Sequence, residues 1–128
     1  MCFKRILALN LFIFLFSTVS ISQQVSLKDT STGIDFYIEN QRVLTYQTAK
    51  LPVPDGVKEA FSKSGFIHPI TSPSGQVLSR VQPKDHYHHY GIWGPWTRAT
   101  INGREVDFWN LGDEKGRVDF SHVISKKV

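Results

Sequence analysis

Cysteine is almost absent from this chain. Its 128 residues hold one, Cys2, and it stands ahead of the first apolar run, whereas a lipid-anchored protein needs a cysteine just behind that run. The rest of the chain has no thiol. A disulfide scaffold is therefore excluded, and so is thiolate catalysis. Long apolar runs are missing too. The longest, "ILALNLFIFLF" at 6–16, is interrupted by Asn10 and falls short of the roughly 20 residues that span a bilayer. No basic stripe, internal repeat or low-complexity tract is present. Scattered charges give nucleic-acid phosphates no continuous surface, so nucleic acid is not an expected partner.

The N-terminus reads as an export signal. Lys4 and Arg5 form a positive n-region, residues 6–16 an apolar h-region, and "STVSIS" at 17–22 offers small residues, Ser20 and Ser22, for signal peptidase. Cleavage is expected after Ser22, giving a periplasmic or extracellular protein with no stable membrane insertion. Fifteen Lys and Arg face eleven Asp and Glu, a balance of +4; losing Lys4 and Arg5 brings it to +2. About 106 residues remain, enough for one small domain that must rely on its apolar core.

The periodicity is two rather than 3.6, which argues for strands. "GIDFYIEN" (33–40) alternates Ile34, Phe36 and Ile38 with Asp35, Tyr37 and Glu39, and "RVLTYQT" (42–48) pairs back as a hairpin. Pro52, Pro54 and Gly56 mark 50–64 as a long loop, with one helical turn over "VKEAF" (57–61). "GFIHPI" (65–70) is a short strand, "SPSG" (72–75) a turn, and "QVLSRV" (76–81), "HHYGIW" (88–93) and "TRATI" (97–101) are further strands. Asn102-Gly103 is a type I′ hairpin signal, because both central residues need positive φ. "REVDFW" (104–109) returns, and "GRVDFSHVIS" (116–125) begins another strand. Many short strands separated by Gly and Pro turns predict an all-β fold, an antiparallel β-sandwich. The alternation is still running at the last residues, so 23–128 is expected to be the N-terminal part of a longer, here incomplete, domain.

"KDHYHHYGIWGPW" (84–96) concentrates the chemistry. In an extended segment His86 and His88 share one face and His89 the other; in a loop all three converge. The His86-x-His88 pair can grip Zn or another divalent metal, with Asp85, His89 or His68 as a third ligand. The alternative is proton transfer: His86, His88 and His89 titrate near neutrality, and Asp85 can orient an imidazole. Trp93, Trp96, Tyr87 and Tyr90 supply flat faces that stack on sugar C–H surfaces, and Asp107 reaches the cluster if its strand is a neighbour. Taken singly, each residue has a structural reading as well. Aromatics in strands are commonly core, a His beside an Asp is commonly a structural pair, His68 in "FIHP" reads as half-buried and satisfied, and His122 as solvated. The run as a whole favours a site, because a core has little use for so many titratable groups. The expected ligand is a carbohydrate or another small molecule.

Three motifs in order, "SGFIHPITSPSGQVLS" (64–79), "PKDHYHHYGIW" (83–93) and "VDFWNL" (106–111), resemble a family of exported bacterial proteins labelled PmoA or methane oxygenase PmoA. The resemblance covers about residues 34–125. The family hallmark is similar to D-H-P-H-H-R-G. Asp85, His86, His88, His89 and Gly91 match it, while Tyr87 replaces the proline and Tyr90 the arginine, so the resemblance does not carry over any anion or carboxylate contact at that position. The resemblance implies an all-β sandwich akin to the galactose-mutarotase supersandwich, in a domain longer than this chain. The methane-oxygenase label is at odds with the composition: outside the leader no apolar run is long enough for one membrane span.

Overall fold

A computed structural model describes residues 22–128. The leader and most of its expected cleavage region lie outside the described residues. The fold is all-β and antiparallel. A four-stranded meander, β1 (Val25–Asp29), β2 (Gly33–Ile38), β3 (Gln41–Gln47) and β4 (Phe66–Ile70), lies in the order β1-β2-β3-β4. A separate hairpin pairs β5 (Ala99–Ile101) with β6 (Arg104–Val106). No helix of the described residues is long and apolar enough to cross a membrane.

The meander follows from local sequence. Thr30 closes the first turn, its hydroxyl accepting from Gly33 N at 3.0 Å while its backbone N–H donates to Gly33 O at 2.8 Å. Glu39 and Asn40 make the β2–β3 turn, with Ile38 opposite Gln41. The alternation in β2 does not divide into one wet and one dry face. Asp35 is as buried as its neighbour Ile34. Its carboxylate is satisfied there by the Thr45 hydroxyl at 2.5 Å, from the residue directly opposite on β3, with Arg42 at 3.7 Å. A buried carboxylate is tolerable only when paired in this way.

β1 was not legible as a strand: only Leu27 among its five residues is even half-buried, so it carries no apolar period. Four other expected strands are corrected. Residues 76–81 and 88–93 are not regular strands but make single bridges, Thr71 to Val77, Val81 to Tyr90 and Ile67 to Ile92. The strand over 104–109 stops at Val106, because Asp107 turns the chain. Residues 116–125 form no strand; side chains hold that segment instead. The expected turns are present, with Asn102 and Gly103 at φ 51° and 76° and a 3₁₀ turn over Glu59–Phe61.

The core sits where the two halves meet. Phe66 of β4, Tyr90 and Leu111 are buried together, with Leu51, Phe61, Val81 and Trp93 packed around them. Burial of each such side chain contributes about 1.5–3 kcal/mol. The segment 117–120 closes over this junction. Asp119 accepts from Ser64 N at 2.9 Å and from the Ser64 hydroxyl at 3.2 Å, and it pairs with Arg117. Arg117 also donates to Ala60 O at 3.1 Å and to Ser62 O. Phe120 meets Tyr46 edge-on at 6.1 Å. Beneath lies Lys63, 1 % exposed. Its ammonium donates to Val118 O and lies 5.6 Å from the Trp93 ring centroid. Burial pushes the Lys63 amine down, opposed by the Asp119 carboxylate, with Arg117 adding to the lowering.

Candidate functional site

The histidine stretch is the loop of a short hairpin. Val81 bridges Tyr90, Gly91 N donates to Arg80 O at 2.8 Å, and Gln82 N donates to His89 O at 2.8 Å. The hairpin is tied to β4 through reciprocal bonds between Ile67 and Ile92. Tyr90 anchors it from below. This side chain is 0 % exposed, lies 5.2 Å from the Phe66 ring, and donates its hydroxyl to Phe61 O; burial raises its pKa. Tyr90 is thus a core residue rather than an accessible sugar platform. Gly91 follows at φ 57°, and a Cβ there would collide with the Ile67 carbonyl oxygen. Only glycine brings the loop this close to β4.

Two successive turns wind the loop. His86 N donates to Pro83 O at 2.8 Å and His89 N to His86 O at 3.0 Å. The segment is therefore not extended, and all three imidazoles converge. His86 stacks on His89 at 4.7 Å and 19°, while His88 meets His89 edge-on at 4.5 Å and lies 5.7 Å from His86. Asp85 holds His86 Nδ1 at 2.9 Å, and the bond from His86 is the main reason the Asp85 carboxyl is lowered. Burial lowers the His88 pKa, with the neighbouring His89 and His86 charges adding to it. His89 Nε2 is buried with no hydrogen-bond partner among the described residues. Buried polar atoms are nearly always paired, so this nitrogen asks for a water or a ligand.

Trp109, which sequence reasoning passed over, completes the cluster. Its ring lies 5.3 Å from His88, 5.5 Å from His89 and 6.0 Å from Trp93, stacked on the last at 26°. Asp107 puts it there. The Asp107 carboxylate accepts from Trp109 N at 2.8 Å, Asn110 N at 3.0 Å and the Asn110 amide at 2.6 Å, and these bonds, Asn110 first, lower its pKa. Asp107 therefore positions an indole and does not line the site. The only signal in the sequence was the Asx-turn pattern of "DFWN".

Part of this cluster lines an open cleft of about 720 Å³, whose wall includes Arg80, Asp85, His86, His89, Trp93 and Trp109. Besides Asp107, three expected members stand outside the lining. His88 packs against His89 and Trp109 without being part of it. Trp96 is 71 % exposed and outside the lining. His68 is behind the wall, its Nδ1 2.8 Å from the Ser79 hydroxyl, and burial lowers its pKa. His86 and His88 ring centroids lie 5.7 Å apart, and His86 Nδ1 is engaged by Asp85. Among the described residues no group of three metal-binding side chains is placed to hold a metal ion.

A family model matches residues 33–128. The chain belongs to DUF6807, a family of unknown function. The match takes in β2 to β6, the histidine loop and Trp109, so the whole cleft lies within the family domain. No curated protein and no solved structure is found to match the chain.

Proposed function

We propose that this is an exported protein, related to the PmoA-labelled proteins its motifs resemble, whose cleft binds a carbohydrate or acts on one. The observation that carries the reading is the joining of Trp93 and Trp109 with His86, His89 and Asp85 in one open cleft. Stacked indoles match the C–H faces of a pyranose ring, and imidazoles and a carboxylate match its hydroxyls. In a catalytic version, His86, held by Asp85, is the acid/base group best placed to exchange protons with bulk water. His88 lies outside the lining and supports the site by packing against His89 and Trp109. His89 stacks on His86 and extends the wall of the cleft beside it.

The test is an oligosaccharide binding screen on the full chain, repeated with Trp93→Ala and His86→Ala. The reading expects binding that Trp93→Ala abolishes. Loss of turnover but not of binding in His86→Ala marks an enzyme, and unchanged binding with no turnover in the parent marks a binding module. Retention of full affinity in Trp93→Ala contradicts the reading.

A further inference from the structure

We infer that the ligand of this cleft is an acidic carbohydrate, and that Arg80 receives its anionic group. The inference rests on the carbohydrate reading above and goes beyond it in naming the charge of the sugar and the residue that selects it.

Arg80 stands beside the Val81–Tyr90 bridge at the base of the short hairpin. Val81 and Tyr90 pack into the core. Arg80, His89 and Gly91 line the cleft, whose floor also includes Tyr90. The residue opposite Arg80 is Gly91, whose N–H donates to Arg80 O. With no side chain across from it, the guanidinium has open space on the ligand side. It makes no side-chain hydrogen bond or ion pair among the described residues, in contrast to Arg117, whose guanidinium is bound by Asp119, Ala60 and Ser62.

The other charges of the lining point the same way. Asp85 is the only acid among the described lining residues. Its carboxylate is turned to His86 Nδ1, and Arg80 only adds to its lowered pKa from a distance. The remaining titratable groups of the lining are imidazoles, which are neutral or positive, and the Tyr90 phenol, which burial keeps neutral. Arg80 is exposed to solvent, and a neutral sugar would make no use of its charge. A sugar carrying a carboxylate or a sulfate supplies a partner, and a guanidinium fork matches either in a bidentate contact. The ring's C–H face then rests on Trp93 and Trp109.

The experiment is titration calorimetry of the full chain with oligohexuronides, sulfated oligosaccharides and neutral oligosaccharides of matching linkage, at low and at high salt. Expected is a preference of about tenfold or more for one acidic class, equivalent to about 1.4 kcal/mol, that weakens at high salt. The preferred class tells whether the anionic group is a carboxylate or a sulfate. Arg80→Gln is expected to bring the acidic ligand down to the neutral one, and Arg80→Lys to restore part of the difference. Equal affinity for acidic and neutral sugars overturns the inference and leaves the carbohydrate reading standing. An acidic preference that survives Arg80→Gln overturns the assignment to Arg80. Binding of none of the three classes overturns both. The selectivity of the unaltered chain is measured first, so an Arg80 variant that fails to fold does not blunt the test.

Discussion

The two halves of this protein hold together by different means. From Val25 to Ile70 the chain is a meander, and its backbone bonds run strand to strand, with a register shift in each of the β2–β3 and β3–β4 pairings. From about residue 76 onward, regular pairing shrinks to isolated bridges and one short hairpin. The second half is fixed by particular side chains: Tyr90 in the core, Asp107 under Trp109, Asp119 and Arg117 across residues 60–64. Every residue of the candidate cleft except Ile70 comes from this second half. A regular sheet spends its backbone polar groups on itself. Turns and single bridges leave side chains free to converge from several directions, which is what a site needs.

The sharpest way to break the comparison is at the contact between the halves. Gly91→Ala drives a Cβ into the Ile67 carbonyl at a positive φ and is expected to cost about 3–4 kcal/mol. Gly103→Ala, also at positive φ but with open space around it, is expected to cost only about 1 kcal/mol. Urea midpoints of the two variants give the comparison, and equal losses would mean that Gly91 is not a point of close approach. Next is Trp109→Ala. Removing this half-buried indole strips contacts from Trp93, His88 and His89, an expected loss of about 3 kcal/mol, and the near-ultraviolet dichroism that stacked tryptophans contribute should collapse with it.

Asp119→Ala is expected to cost about 2 kcal/mol. It unpairs Arg117 and leaves Ser64 N without its acceptor, while Lys63 loses the one nearby carboxylate that favours its charged form. Its effect should appear as faster proteolysis after residue 116 before the meander loses structure. Simultaneous loss of both would show that the halves unfold as one unit.

The smallest expected effect is a pH dependence of stability. The folded-state pKa values of His68 and His88 lie below the ordinary histidine value, so the folded chain binds fewer protons than the unfolded one. Stability therefore rises with pH from their folded pKa values up to about 6.5 and is flat above. Asp119 is lowered as well: burial works against this, but the bonds from Arg117 and Ser64 outweigh it. Its contribution is present above about pH 4 and is lost as pH falls through its folded pKa. Thermal midpoints should thus fall in two stages on acidification. His88→Asn should shrink the first stage and spare the second.

The same division explains what was legible in the sequence. β2, β3 and β4 announce themselves through alternating apolar residues and turn residues, and Asn102-Gly103 predicts its hairpin because the backbone there demands positive φ. The concentration of histidines marks the site, because titratable groups are costly to gather in a core. The sequence does not show which of its neighbours face the ligand. Tyr90 and His89 are adjacent and equally polar at one end, yet Tyr90 is wholly buried in the cleft floor while His89 is only half-buried in its wall, since the outcome depends on the bridge to Val81. Trp96 and Trp109 are both tryptophans beside turns, and only the Asp107 cap brings the second into the cluster. These are consequences of long-range packing, which period and propensity do not encode.

The central claim is that the converging histidines form a ligand site, and protection from modification tests it most directly. Diethyl pyrocarbonate labelling of the full chain, mapped by mass spectrometry, is compared with and without a saturating oligosaccharide found in the binding screen. His122, exposed and outside the cleft, serves as the internal control. The account predicts that the sugar slows labelling of His86 and His89 severalfold and leaves His122 unchanged. Equal labelling of all three, with and without sugar, would contradict it.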